Sequence, residues 1–324
     1  MTMQQNHLVR RILDLSPLLL LVVLTVVFAA IDPRVVSTQS LINIAAQATP
    51  IAVLALGALV VLLTGGIDLS AGVGVAFCAV LIATLVDGGL GLPAALATGL
   101  VAMVLIGFLN GAVIALLRIP AFVTTLATMV ALQGATLAIA AKGTLMLKEP
   151  WLRLIGVERP LGVPNVILLT ALIVLADGLI MRRTRFGLRT YALGSDGAAA
   201  ELAGVPVKRQ TILVYAASGL FVFLTALVMI ARVPVVTPNI GGTSLLLDAI
   251  AAAVLGGTSI FGGRGTVWGT VVGALIVSLL TTALRIFGTD PSSLELYKGA
   301  IIMAALMADS GMTYAKARLV EAAR

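Results

Sequence analysis

Charge is what this sequence has least of. Lys, Arg, Asp and Glu make up 11% of its 324 residues, where a soluble domain carries about 25%. With 60% hydrophobic residues and a mean hydropathy of +1.13, that deficit excludes a soluble enzyme. Histidine is nearly absent: His7, in the polar N-terminal tail, stands alone. The single cysteine, Cys78, lies in an apolar run, can form no internal disulfide and reads as a small buried hydrophobe. One His, one Cys and scattered carboxylates give no material for a metal centre or a His-based catalytic group, so an intramembrane enzyme is set aside. No G-x-x-x-x-G-K-[ST] phosphate loop occurs, so the chain is not itself a P-loop ATPase. Neither metal nor cofactor is expected in it.

What is present in quantity is the long uncharged run. Windows 35–67, 69–86, 88–117, 119–141, 211–231 and 265–284 carry no charge and most approach or exceed the roughly 20 residues a membrane-spanning helix needs. Lipid offers the backbone no hydrogen-bond partner, so such runs must be helical. The pattern predicts an all-α polytopic membrane protein, a single domain over 1–324, with about ten spans. They are placed at 17–31, 43–64, 69–86, 91–117, 121–141, 163–181, 211–231, 245–261, 266–286 and 294–309, the first and last being short. No secretory cleavage signal is read, and 17–31 is taken as a retained span.

The net charge of +7 is explained by orientation in a membrane and gives no reason to invoke nucleic acid. Placing both termini in the cytoplasm gathers Arg10, Arg11, Arg118, Arg264, Lys316, Arg318, Arg324 and the cations of 182–210 on the inner side. Arg34, Lys142, Lys148, Arg153, Arg159 and Arg232 then fall outside.

The polar island 182–210, RRTRFGLRTYALGSDGAAAELAGVPVKRQ, decides that orientation. A short helix can be read inside it. Asp196 suits the N-cap, 197–203 is helix-compatible, Gly204 suits the position after the C-cap, and Pro206 stops continuation. Ala198, Leu202 and Val205 give it one apolar face. A capped amphipathic helix of this kind predicts a docking element through which another protein pushes on the membrane part.

Polar residues inside the spans are few and uncharged. Asn43 and Gln47 lie one turn apart, as do Thr124 and Thr128, and Asn110 and Gln133 interrupt other runs. Together with Asp68 in GGIDLS (65–70), where two glycines break a helix, they suit either a path for a neutral polar solute or hydrogen bonds between helices. The candidate pathway residues are Asn43, Gln47, Asp68, Asn110, Thr124 and Thr128. Asp177 and Asp248 sit near span ends. With so little charge at mid-membrane, an ion-coupled carrier has no coupling group, and a separate engine is expected. VLLTGGIDLSAGVG (61–74) and AVLGGTSIFGGRGTVWG (253–269) echo one another: apolar run, paired glycines, polar residues, glycine again. Both fall at an inner boundary, through either convergent loop chemistry or two related halves.

Five stretches carry a resemblance: LTGGIDLSAG (63–72), FLNGAVIALLRIPAFVTTLAT (108–128), RTRFGLRTYALG (183–194), AAAELAGVPVKR (198–209) and LDAIAAAVLGGTSIFGGRGTVWGT (247–270). The chain resembles the permease subunits of bacterial ABC importers for monosaccharides of the ribose/xylose/galactose type. The branched-chain amino-acid ABC permeases resemble it in layout. The resemblance implies a type II importer-like permease in the bacterial inner membrane, working with a cytoplasmic ABC ATPase subunit, a second permease copy or paralogue, a periplasmic sugar-binding protein and surrounding lipid. ATP and Mg would be bound by the ATPase. It also implies that the AAAELAG segment is the coupling helix, making Asp196, Ala199, Ala200, Glu201, Leu202, Gly204 and Val205 the candidate ATPase-coupling residues. Leu246 departs from the pattern, many members having an acid there. The alternatives are an ATP-independent facilitator or secondary carrier for a small neutral solute, or a branched-chain amino-acid ABC permease.

Overall fold

Helix ends here are set by caps and glycines, and most fall within a few residues of the expected boundaries. The structure, a computed structural model, describes residues 15–140, 143–159, 162–290, 292–304 and 307. His7, Arg10, Arg11, Lys142, Lys316, Arg318 and Arg324 lie outside these, as do both termini. The helices are α1 (Ser16–Ile31), α2 (Thr38–Leu62), α3 (Ser70–Asp87), α4 (Leu92–Leu117), α5 (Ala121–Ile139), α6 (Pro150–Gly156), α7 (Asn165–Arg183), α8 (Arg185–Ser195), α9 (Gly197–Leu202), α10 (Val207–Arg232), α11 (Gly242–Leu255) and α12 (Val267–Ile286). A further stretch is helical over 292–304. Seven of them, α2, α3, α4, α5, α7, α10 and α12, are long and apolar enough to cross a membrane, while α1 and α11 are apolar but shorter.

The differences from expectation have local causes. α2 starts five residues early because the Ser37 side chain accepts the Ser40 N–H at 3.3 Å. Pro50 sits inside α2 and cannot supply the N–H that Ala46 O would accept. The Thr49 hydroxyl donates to that carbonyl at 2.7 Å, which keeps it satisfied in an apolar setting. α11 covers 242–255 instead of 245–261, ended by Gly256 and by Gly257 at φ +85°. Its 14 residues rise about 21 Å, short of the roughly 30 Å hydrocarbon core. A short connection over 233–241 joins α10 to α11. There a two-residue strand, Val235–Val236, pairs antiparallel with Leu145–Met146 from the α5–α6 connection.

α2 is the central helix, 78% of its most apolar window being buried, against 22% for α4 and for α5. α10 packs along α4, where Gly107 and Gly111 rest on the backbone of Ile212–Ala216 and Gly219 rests on that of Met103. Such contacts let two helices approach without any aqueous driving force between them. Where α11 meets α12, Gly256 lies on Gly269 and Gly273 on Ala252.

Candidate functional site

Two places gather the residues singled out from the sequence. The first is the 182–210 island. It folds as two helices, α8 and α9, rather than one. The Asp196 carboxylate accepts the Ala199 N–H at 2.9 Å, capping α9 at its start. At the other end Val205 N–H reaches Ala200 O at 3.0 Å and Gly204 N–H reaches Glu201 O at 2.9 Å. This is the Schellman arrangement, and it needs the left-handed φ of +82° that Gly204 adopts. α9 turns Ala200 inward and leaves Leu202 91% exposed. Ala199, Glu201 and Gly204 are exposed, and Val205 is half-buried. A leucine so bare, on a six-residue helix, has no partner among the described residues to justify it.

α8 ties α9 to the bundle. The Gln210 amide, buried on α10, donates to Phe186 O at 3.0 Å and to the Thr190 hydroxyl at 2.8 Å. The Tyr191 hydroxyl donates to Gly265 O at 2.9 Å. Burial, with Asp177 adding to it, pushes the Tyr191 phenol up, so it stays protonated as that donor. Gly194 lies against Leu63 O and Gly263 N, and Gly263 N–H donates to Leu63 O at 2.9 Å. Gly262 meets Gly65 and Gly194 together. The two glycine-rich echoes, 61–74 and 253–269, therefore touch at one point, directly beneath α8. The loop they form with α8 leaves Phe261 86% exposed. Sequence reasoning missed α8 and Phe261. The signal for α8 was available, since Phe186, Thr190 and Tyr191 repeat at helical spacing.

The second place is the break between α2 and α3. Asp68 Oδ1 accepts the Ser70 N–H at 3.0 Å and the Ser70 hydroxyl at 2.6 Å, and Oδ2 accepts the Ser218 hydroxyl of α10 at 2.7 Å. The Asn110 amide of α4 donates to Ser70 Oγ at 3.2 Å. The Thr128 hydroxyl of α5 donates to Asn110 Oδ1 at 2.6 Å. Three candidate pathway residues, Asp68, Asn110 and Thr128, thus join one chain of hydrogen bonds linking four helices. Asp68 is covered by Ser70 and Ser218, and Asn110 and Thr128 bond each other. Thr124 is buried one turn away, and its hydroxyl has no partner among the described residues. Asn43 and Gln47 lie a full span off along α2. Asn43 is exposed and accepts from the Gln39 amide at 3.0 Å, and Gln47 is half-buried.

Asp248, on α11, pairs with Lys298 at 2.8 Å, and Lys298 also meets Glu295 at 2.8 Å. Among the described residues no group of three or more His, Cys, Asp or Glu side chains could hold a metal.

Known proteins place this architecture. Residues 40–308 match the family described as Branched-chain amino acid transport system / permease component. The ribose import permease protein RbsC of Escherichia coli (strain K12) is 33% identical over 303 residues, 92% of this chain and 94% of the relative. The autoinducer 2 import system permease protein LsrC of Klebsiella pneumoniae is 35% identical over 305 residues, 94% of this chain and 88% of the relative. The galactofuranose transporter permease protein YtfT of Escherichia coli (strain K12) is 34% identical over 269 residues, 83% and 79% respectively. No solved structure matches the chain.

Proposed function

The chain belongs to this family of membrane permease components, and on that premise we propose that it forms the membrane path of an ATP-driven importer for a monosaccharide. The family description names branched-chain amino acids. The relatives that align over most of the chain are named instead for ribose, galactofuranose and autoinducer 2. An amino acid brings a carboxylate and an ammonium group, each costly to hold away from water without a charged partner. Among the described residues, Asp248 and Lys298 are paired with each other, Asp68 is covered by serine hydroxyls and Asp177 lies in the last two turns of α7, whereas uncharged hydrogen-bonding side chains are plentiful. A neutral polyol fits that supply.

α9 is the lever in this reading. The end of the bundle that carries it also bears Arg118, Arg182, Arg183, Arg185, Arg189, Lys208, Arg209 and Arg264, so the positive-inside rule puts that end in the cytoplasm. The observation that carries the reading is the exposed Leu202 on a helix capped at both ends and braced through α8 to α2, α10 and the 256–266 loop. A cytoplasmic ABC ATPase gripping α9 and closing on ATP would move these elements together. The outer end would receive sugar from a periplasmic binding protein, and a second permease subunit would complete the path.

The test is reconstitution in liposomes with the cognate ATPase and binding protein. Uptake of a labelled monosaccharide that requires all three components and hydrolysable ATP is expected. Flux of the same sugar through the permease alone would contradict it.

A further inference from the structure

The Asp68 network is closed, but another group of polar side chains converges on open space. Between α3, α5 and the turn that opens α11 lies a cavity of about 370 Å³, within the roughly 300–1,000 Å³ of small-molecule sites. Its polar lining is Gln133 and Thr136 from α5 with Asn239, Thr243 and Ser244 from the turn and first residues of α11. None of the residues lining it is charged or aromatic.

Two features of its surroundings are out of keeping with a mere packing defect. Gln133 is exposed on a helix whose neighbouring outward positions, Val130 and Leu137, are 60% exposed apolar residues. An amide placed there against lipid would be costly, so the face it shares must be wet or filled by a polar group. The backbone supplies the second feature. Gly241 and Gly242 both take positive φ, 77° and 56°, and turn the chain so that a half-length helix starts beside the cavity, packed on Gly72 of α3. The first N–H groups of any helix lack partners within it; that of Gly242 is taken by Ile240 O at 3.0 Å, and the next two residues, Thr243 and Ser244, line the cavity.

We propose that this cavity is a subsite that holds the sugar during passage, resting on the import reading above. Gln133, Asn239, Thr243 and Ser244 would hydrogen-bond its hydroxyls, and Val73 and Ala76 would meet its C–H face. The chemistry selects an uncharged polyol, since no side chain present would neutralise a carboxylate, an ammonium or a phosphate. The lack of an aromatic platform keeps the hold weak, as a path requires, because a tight site would slow release.

The experiment uses the complete importer in proteoliposomes, with ribose and galactose as labelled probes. Gln133→Leu and Asn239→Leu are expected to lower uptake at saturating binding protein at least tenfold, while binding-protein-stimulated ATP hydrolysis stays within about twofold. Leu137→Cys, at a lining position given no contact with the sugar, should lose uptake when labelled by a methanethiosulfonate reagent, and excess sugar should slow the labelling. Cys78 is fully buried and leaves the readout clean. If wild-type importer takes up neither sugar, the import reading falls and the subsite with it. If wild type transports but the leucine variants match it, or fully labelled Leu137→Cys still transports, the subsite alone is overturned. Parallel loss of uptake and hydrolysis in the leucine variants would assign those side chains to folding or coupling, and would equally overturn their role in holding sugar.

Discussion

Asp68 shows why a carboxylate can sit 8% exposed in a chain with so few charges. Three donors from two residues, Ser70 and Ser218, cover its oxygens, and Asn110 and Thr128 extend the bonding to α4 and α5. Removing it strands those donors, each at a cost of roughly 1–3 kcal/mol, although membrane interiors often soften such losses to about 1 kcal/mol. Asp68→Ala is therefore expected to lower the stability of the detergent-solubilised protein by roughly 2 kcal/mol, with Asp68→Asn retaining most of it. Equal melting of Asp68→Ala and wild type would show that the network carries no stability. From the sequence, Asp68, Asn110 and Thr128 stood out as polar residues in apolar runs. That they share one network was not legible, because Asn110 and Ser70 lie 40 positions apart and no local periodicity records such a pairing.

At the scale of elements, α9 was legible down to its caps because every signal is local: Asp196, Gly204 and Pro206 fall within eleven residues. Losing the Asp196 cap by substitution with Ala costs about 1 kcal/mol, a large share of what a six-residue helix can have. Asp196→Ala is expected to weaken ATPase attachment and reduce uptake several-fold, with permease abundance in the membrane unchanged. Glu201 is exposed on the same helix. Replacing it by Ala should uncouple hydrolysis from uptake, so that ATP turnover per sugar rises. Normal transport stoichiometry in that variant would remove Glu201 from the contact. Gly194 sets how closely α8 approaches the bundle. A methyl group there would collide with Leu63 O, so Gly194→Ala is expected to abolish uptake by displacing α8. That contact, like the 145–146 and 235–236 pairing, escapes sequence reasoning because its two sides come from distant parts of the chain.

Across the whole molecule, seven of the ten expected spans are helices long and apolar enough to cross a membrane and two are shorter apolar helices, while the tenth, 294–309, runs beyond the described residues, which are helical over 292–304. The uncharged runs announced nearly all of them, since hydropathy is summed over a span and tolerates local detail. The misplaced one was α11, whose start depends on two left-handed glycines and whose length falls short of a full crossing. The two glycine-rich breaks at Gly65 and Gly262, distant in sequence, meet under α8. A displacement of α8 would therefore reach α2, α10 and the α11–α12 connection through direct contact.

The central claim is that an ATPase works this permease through α9, and a photo-crosslinking amino acid at position 202 in the assembled importer tests it directly. The account predicts a crosslink to the ATPase subunit, formed from the cytoplasmic side and changing in yield between ATP-bound and nucleotide-free states. No adduct with the ATPase in either state, or labelling of position 202 from outside the cell, would contradict it.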